Sequence, residues 1–122
     1  MNKEEYLKGL KKFNLPKEEF IVLSGGSLLL RGIREKTDDF DLCFSDKLAE
    51  EMNVKDMPKN EKGFPSPFEK CEVIGGFEGF DFDIVEGYKC ETLENILKFK
   101  RKERRPKDLV DIERIEKWMA QR

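Results

Sequence analysis

The chain has no histidine and only three cysteines among its 122 residues. The absence of histidine excludes Ser-His-Asp and Cys-His nucleophilic catalysis, histidine general bases and every metal site that uses imidazole. Cys43, Cys71 and Cys90 lie far apart without any Cys-x-x-Cys spacing, which favours buried thiols over a zinc ribbon or a disulfide framework. The chemistry that stays open uses carboxylates, lysines and hard metal ions.

Long apolar runs are also missing. No stretch approaches the roughly 20 apolar residues that a membrane-spanning helix needs, and no signal peptide is recognisable. These features predict a cytoplasmic protein without a membrane partner. The 24 basic and 26 acidic residues give a formal charge of −2, so binding to nucleic acid would need a local basic patch. The aromatic content and the lack of linkers predict a single domain over residues 1–122, with its core in residues 20–120.

The spacing of apolar residues predicts alternating helices and strands. Helices are expected over residues 3–13 and 27–33, after Ser45, from residue 93 and from Pro106. Strands are expected over residues 20–23, 39–44, 72–74 and 80–85, and a long loop over 53–68. The glycines at 75–79 predict a hairpin between the last two strands. The apolar stripe of the last helix predicts that it docks on a sheet.

An Asp-x-Asp pattern carries the strongest chemical signal. Asp39 and Asp41 alternate with Phe40 and Leu42, so in a strand both carboxylates point to one face with Cα atoms about 6.6 Å apart. Two convergent carboxylates suit magnesium. An isolated Asp-x-Asp is, however, also typical of the solvated face of an edge strand. Asp81 and Asp83 repeat the pattern, and periodicity alone does not choose between them as a third carboxylate.

Two further segments could bind anions. Gly25, Gly26 and Ser27 stand at a strand-to-helix junction, where backbone N–H groups attract phosphate, although a turn with an N-cap gives the same pattern. Residues 98–107 hold seven basic residues and one acidic residue. This strip could bind a triphosphate or a nucleic-acid backbone, with Lys100 and Arg101 among its contacts, or it could be a solvated helix face.

These segments together resemble a known family. Leu23–Arg34 followed by Thr37–Leu42 resembles the nucleotidyltransferase signature of the DNA polymerase β-like superfamily, a Gly-Gly/Ser loop followed by Asp-x-Asp. Tyr88–Lys98, with Arg105–Asp108 and Asp111, looks like the C-terminal motif of its abortive-infection and lincosamide-type branch. The resemblance covers most of residues 20–118.

The resemblance implies an α/β (α+β) fold, a small mixed β-sheet flanked by helices, and a set of site residues. Asp39 and Asp41 would bind two Mg²⁺ ions, with Mn²⁺ as an alternative, and Asp83 would be the third catalytic, metal-binding carboxylate, with Asp81 as its substitute. The nucleotide would contact Gly25, Gly26, Ser27, Arg34, Thr37, Lys98 and Lys107. Gly26 and Ser27 would hold the β and γ phosphates. Lys107 and Asp108 would tie the last helix to the site.

The implied activity is transfer of a nucleoside monophosphate from a nucleoside triphosphate to an acceptor that the sequence does not identify. RNA, bound through residues 98–107, is one candidate acceptor, and a protein or a small molecule are others. The alternative is a catalytically inactive module of the same fold that binds nucleotide, RNA or a protein partner. A two-metal nuclease is a third reading, but it leaves the Gly-Gly-Ser loop unexplained. The oligomeric state stays open.

Overall fold

Five α-helices and five β-strands make up the computed structural model, which describes residues 1–122. The helices are α1 (Lys3–Phe13), α2 (Ser24–Leu30), α3 (Asp46–Glu51), α4 (Leu93–Glu103) and α5 (Pro106–Ala120). The strands are β1 (Phe20–Val22), β2 (Phe40–Phe44), β3 (Cys71–Gly76), β4 (Phe82–Val85) and β5 (Tyr88–Glu91). The predicted mixed α+β domain with a small mixed sheet is therefore confirmed.

The strands form one sheet in the order β3-β2-β1-β5-β4. β2 is antiparallel to β1 and parallel to β3, while β5 is parallel to β1 and antiparallel to β4. The predicted hairpin of strands 72–74 and 80–85 is wrong, because β3 and β4 lie at opposite edges. β4 instead turns into β5 through Glu86 and Gly87, whose positive φ angles of 56° and 82° suit a tight hairpin turn.

The period of two along the strands separates the two faces of the sheet. Phe40, Leu42 and Phe44 of β2 join the main core, which includes Tyr6 and Leu10 of α1. The opposite face carries a smaller apolar cluster of Ile21, Leu23 and Cys43, with Ile74, Phe77 and Phe80 packed against it. Asp41 and Glu72 alternate with core residues of their own strands, so they belong to this second face. It is the face that carries the candidate site.

The last helix packs on helices rather than on the sheet, which corrects the predicted docking. Ile115 of α5 joins a cluster with Leu28 of α2 and with Leu93, Ile96 and Leu97 of α4. Leu109 and Met119, part of the predicted stripe, are exposed. None of the helices combines the length and the apolar character required to cross a bilayer.

The predicted ends of the helices are partly confirmed. Ser45 caps α3, since its Oγ accepts the backbone N–H of Leu48 at 3.1 Å, and Pro106 begins α5 as expected. The helix predicted from Ser27 instead begins at Ser24, so Ser27 lies inside α2 and is not its cap. The three cysteines are buried and free, in agreement with the sequence.

Candidate functional site

A cavity of about 1040 Å³ opens on the second face of the sheet, beside α4 and the loop before β3. Seven of the residues predicted for the site line it: Gly25, Arg34, Thr37, Asp39, Asp41, Lys98 and Lys107. We call Asp39, Asp41 and Glu72 the acidic wall, and Lys98, Lys102, Arg105 and Lys107 the basic wall. Residues far apart in the chain thus meet around one space with opposite charges on its two sides.

The acidic wall is built by the parallel pairing of β2 and β3. Asp41 stands opposite Glu72 in the register, at the strand separation of about 4.8 Å. Asp39 comes two residues before Asp41, and Lys62 contacts both Asp39 and Glu72, so these two carboxylates face the same space. Glu72 is buried, with only 6% of its surface exposed. The third carboxylate beside Asp39 and Asp41 is therefore Glu72.

Asp83 does not lie beside the Asp-x-Asp pair, contrary to the prediction. Its strand, β4, is separated from β2 by β1 and β5, about 14 Å at ordinary strand spacing. Its register partner is Cys90, a residue of the main core, so Asp83 belongs to the opposite face of the sheet. Its carboxylate pairs there with Arg31 at 2.7 Å. Asp81 is exposed and precedes β4, which also sets it apart from the acidic wall.

One lysine already contacts the acidic wall. The Nζ atom of Lys62 lies 3.5 Å from Asp39 Oδ2 and 3.2 Å from Glu72 Oε1. The hydrogen bond and the charge of Glu72 raise the pKa of Lys62. Asn60 adds a hydrogen bond from its Nδ2 to Glu72 Oε1 at 3.0 Å. The loop before β3 therefore supplies both a cation and an amide donor to these carboxylates.

Asp41 is the member of the acidic wall that has a buried oxygen without a hydrogen bond. Its Oδ1 atom is buried and has no hydrogen-bond partner. Burial, followed by the charge and the hydrogen bond of Glu72, raises the pKa of Asp41 to about 6. No group of three His, Cys, Asp or Glu side chains is arranged for a metal ion in the structure as it stands. The donor types nevertheless suit Mg²⁺ or Mn²⁺, because Asp39, Asp41 and Glu72 supply hard carboxylate oxygens on one face of the sheet and the buried Asp41 Oδ1 lacks a partner.

The Gly-Gly-Ser segment contributes less to the cavity than predicted. Gly26 packs in the core, where a Cβ atom would clash with Tyr6 Oη and lie 2.8 Å from Val22 Cγ1. The Ser27 hydroxyl donates to the backbone oxygen of Glu91 at 2.8 Å. The backbone N–H groups of both residues donate to Leu23 O. The predicted phosphate contacts of Gly26 and Ser27 are therefore contradicted, because their donors are used inside the fold.

Gly25 does face the cavity, and its missing side chain makes room for two other predicted residues. A Cβ atom on Gly25 would lie 2.7 Å from Arg34 Nη1 and 2.9 Å from Thr37 Oγ1. Next to it, Glu91 accepts the backbone N–H of Ser24 at 2.8 Å through Oε1 and the Asn95 amide at 2.6 Å through Oε2. The start of α2 is thus already capped by a carboxylate of the protein.

The basic residues predicted as one strip point in three directions. Lys98 and Lys102, one helical turn apart, line the cavity with Arg105 and Lys107. Arg101 lies elsewhere on α4 and pairs with Glu116 of α5 at 3.4 Å. Lys100 also borders the cavity, but it is buried and pairs with two carboxylates of α5. Fewer basic residues of the segment 98–107 therefore lie at the cavity than the sequence suggests.

Lys100 instead holds α4 and α5 together. Its Nζ atom lies 3.3 Å from Asp108 Oδ1 and 3.0 Å from Asp111 Oδ2, and all three side chains are buried. Arg105 donates to Asp108 Oδ2 at 2.7 Å, and this bond is the main reason that the pKa of Asp108 falls to about 2. Arg34 lies 3.9 Å from Asp111 and links this pair to the cavity. Asp108 therefore ties α5 to Lys100 and Arg105, two residues that line the cavity.

Several cavity residues escaped the sequence analysis. They include Lys62, Glu72, Glu91 and the aromatic rings of Phe64 and Phe80. A signal existed for Glu72, the single charge between apolar residues in Cys71-Glu72-Val73-Ile74, which marks a carboxylate on the face opposite to the core. No local signal existed for Lys62, because its contacts depend on how the loop crosses the sheet.

Comparison with known proteins gave no match among family models, curated proteins or solved structures. The class of the protein is therefore defined by its fold and site: a small α+β domain with a five-stranded mixed sheet and a cavity between an acidic and a basic wall.

Proposed function

We propose that the protein is a metal-dependent nucleotidyltransferase of the DNA polymerase β-like fold, which transfers a nucleoside monophosphate from a nucleoside triphosphate to an acceptor. The observation that carries this proposal is the cavity with an acidic wall on β2 and β3 and a basic wall at α4 and the start of α5. A metal-bound triphosphate needs both kinds of surface, carboxylates for the ions and cations for the phosphates.

The acidic wall would hold the metal ions. Asp39, Asp41 and Glu72 supply hard oxygen ligands, and the buried Asp41 Oδ1 lacks any other partner. Bound Mg²⁺ would neutralise phosphate charge and orient the attacking oxygen. A carboxylate of the acidic wall would take the proton of the acceptor hydroxyl. The hydroxyl oxygen would attack the α-phosphorus, and pyrophosphate would leave.

The basic wall would hold the triphosphate. Lys98, Lys102 and Lys107 are exposed at the cavity, so they can reach phosphate oxygens and stabilise the departing pyrophosphate. Arg34 and Thr37 line the cavity next to Gly25. The volume of about 1040 Å³ is at the upper end of small-ligand sites, which span about 300–1,000 Å³. Phe80 and Phe99 offer apolar surface for a base.

A second candidate is a domain that binds nucleotide, RNA or a protein partner without turnover. Two observations favour it: the start of α2 is capped by Glu91, and Lys62 already neutralises part of the acidic wall. Both lower the need for an outside ligand at those positions. The basic wall would still attract a phosphate group in this case.

Isothermal titration of ATP, GTP, CTP and UTP, with Mg²⁺ and again with EDTA, tests nucleotide binding. We expect Mg²⁺-dependent binding that the Asp39→Asn/Asp41→Asn double variant loses. The Asp81→Asn/Asp83→Asn double variant is the matched control, because it alters the same Asp-Phe-Asp pattern at residues that do not line the cavity, and it should bind normally. Equal loss in both variants, or no binding of any triphosphate, would contradict the proposal.

Transfer of label separates the enzyme from the binding domain. The protein is incubated with α-labelled or γ-labelled triphosphate and with candidate RNA, protein and small-molecule acceptors. A nucleotidyltransferase moves the α label to the acceptor and releases the γ label as pyrophosphate. Binding of Mg²⁺ and triphosphate without release of pyrophosphate under any of these conditions would favour the second candidate.

A further inference from the structure

The loop before β3 places a lysine ammonium on the acidic wall. Lys62 Nζ contacts Asp39 Oδ2 at 3.5 Å and Glu72 Oε1 at 3.2 Å, so one cation bridges two of the three carboxylates. These are the carboxylates that the proposed function assigns to a metal ion. The ammonium and a divalent ion would therefore need the same oxygen atoms.

The position of Lys62 is fixed by the backbone of its own loop. Asn60 Oδ1 accepts the backbone N–H groups of Lys62 and Phe64, each at 3.0 Å, and Asn60 N–H donates to Phe64 O at 2.8 Å. The Asn60 amide also binds Glu72. Lys59 and Pro65 form a bridge at the base of the loop. The turn therefore aims Lys62 at the carboxylates, and its contacts are more than those of an unattached surface lysine.

We propose that Lys62 is a tethered counter-ion that competes with the divalent metal ion for Asp39 and Glu72. This inference rests on the proposed function, because it concerns the same acidic wall. In the metal-free protein the ammonium and the Asn60 turn cover the carboxylates. Binding of a divalent ion displaces the ammonium and frees the turn from the acidic wall.

The charges on the acidic wall explain why a divalent ion displaces the Lys62 ammonium and not the reverse. The acidic wall has three carboxylates and one ammonium, which contacts only Asp39 and Glu72. Asp41 Oδ1 stays buried and without a hydrogen-bond partner. Lys62 is also 61% exposed, and ion pairs of exposed lysines are weak and exchangeable. A divalent ion carries twice the charge of the ammonium, and the unpartnered Asp41 Oδ1 offers it an oxygen that Lys62 does not contact. Lys62 therefore lowers metal affinity without preventing metal binding.

Lys59 provides a matched control in the same loop. It is exposed like Lys62 but forms no ion pair, so it lacks any contact with the acidic wall. Replacing either lysine by methionine removes one positive charge from the loop. A difference between the two variants therefore reports the contact of Lys62 with the carboxylates and not the net charge of the protein.

The test measures free Mn²⁺ by electron paramagnetic resonance during titration of the full chain at low salt. We expect Lys62→Met to bind Mn²⁺ about threefold more tightly than the wild type, as loss of a weak competing ion pair would give. Lys59→Met should bind like the wild type, and Lys62→Arg should restore the weaker affinity. Urea unfolding of each metal-free variant checks that all of them fold.

The outcomes separate this inference from the proposed function. Equal Mn²⁺ affinity of Lys62→Met and Lys59→Met, or weaker binding by Lys62→Met, would overturn competition by Lys62 while the metal site stands. Absence of Mn²⁺ binding in every folded variant would overturn both the inference and the metal-dependent function.

Discussion

Two clusters in this protein combine one lysine with two carboxylates but lie in different surroundings. In each, one lysine bridges two carboxylates at 3.0–3.5 Å: Lys100 with Asp108 and Asp111, and Lys62 with Asp39 and Glu72. The first cluster is buried between α4 and α5. The second lies at the cavity, with its lysine mostly exposed.

The balance of charge separates the two clusters. Arg105 joins Lys100 at Asp108, whose pKa falls to about 2. Asp41 has only carboxylates and one shared ammonium near it, and its pKa rises to about 6. A carboxylate that the protein neutralises with its own cations stabilises the fold, whereas one left short of positive charge destabilises it. The second arrangement is the one expected where a cation comes from outside.

The largest effect is expected from breaking the buried cluster. Asp108→Asn leaves Lys100 buried beside one carboxylate fewer and removes the main partner of Arg105. We expect a loss of about 3 kcal/mol or more in the free energy of unfolding, measured with urea. Glu116→Gln is the control, because it removes an exposed pair with Arg101 and should cost less than about 1 kcal/mol. Similar losses in the two variants would show that burial of the cluster is unimportant.

At the acidic wall, replacing an aspartate by asparagine should increase the free energy of unfolding instead of lowering it. Asp41→Asn removes the charge that burial and Glu72 disfavour, so the metal-free protein at pH 7.5 should gain on the order of 1 kcal/mol. Urea unfolding in EDTA measures the gain. Asp81→Asn, at an exposed aspartate outside the cavity, should change stability by less than about 0.5 kcal/mol. A loss of stability in Asp41→Asn would mean that its carboxylate makes a structural bond.

The pH dependence of stability should distinguish the two clusters. The folded state raises the pKa of Asp41 from 3.8 to about 6, so metal-free wild type should gain on the order of 1 kcal/mol as the pH falls from 7 toward 4. It lowers the pKa of Asp108 from 3.8 to about 2, so that contribution is present above pH 4 and is lost as the pH falls toward 2. Urea unfolding between pH 2 and 8 measures both contributions. In Asp41→Asn the gain in stability between pH 7 and 4 should disappear, while the loss below pH 4 should remain. An unchanged profile in that variant would contradict the assignment.

The smallest effect is expected at Lys62. Its ion pairs are exposed, so Lys62→Met should change the unfolding free energy of the metal-free protein by less than about 1 kcal/mol. Lys100→Met should cost several times more, because it leaves Asp108 and Asp111 buried without their shared cation. Differential scanning calorimetry of both variants checks the ratio. Equal costs would remove the distinction between the clusters.

The sequence predicted the local parts of the site and missed the parts that depend on strand order. Asp39 and Asp41 were found because alternation with Phe40 and Leu42 fixes their face within one strand. Asp83 was misplaced because an equivalent alternation says nothing about which strand is the neighbour of β2. Glu72 is the neighbour of Asp41 only because β2 and β3 pair in parallel, through a long connection that contains α3.

The basic residues show the same limit. The sequence identifies a basic segment, but burial decides the role of each residue in it. Lys100 faces α5 and is neutralised by Asp108 and Asp111, while Lys98 one turn away from Lys102 faces the cavity. The different roles of Lys98 and Lys100 follow from the packing of α4 on α5. The sequence analysis instead predicted that α5 packs on the sheet.

The central claim is that the acidic wall binds a divalent ion together with a triphosphate. Anomalous scattering from crystals grown with Mn²⁺ and a non-hydrolysable triphosphate tests it most directly. The account predicts an anomalous peak among the carboxylate oxygens of Asp39, Asp41 and Glu72, with the phosphates extending toward Lys98 and Lys102 and the Lys62 ammonium withdrawn. A triphosphate bound in the cavity without any anomalous peak at these three carboxylates would contradict it.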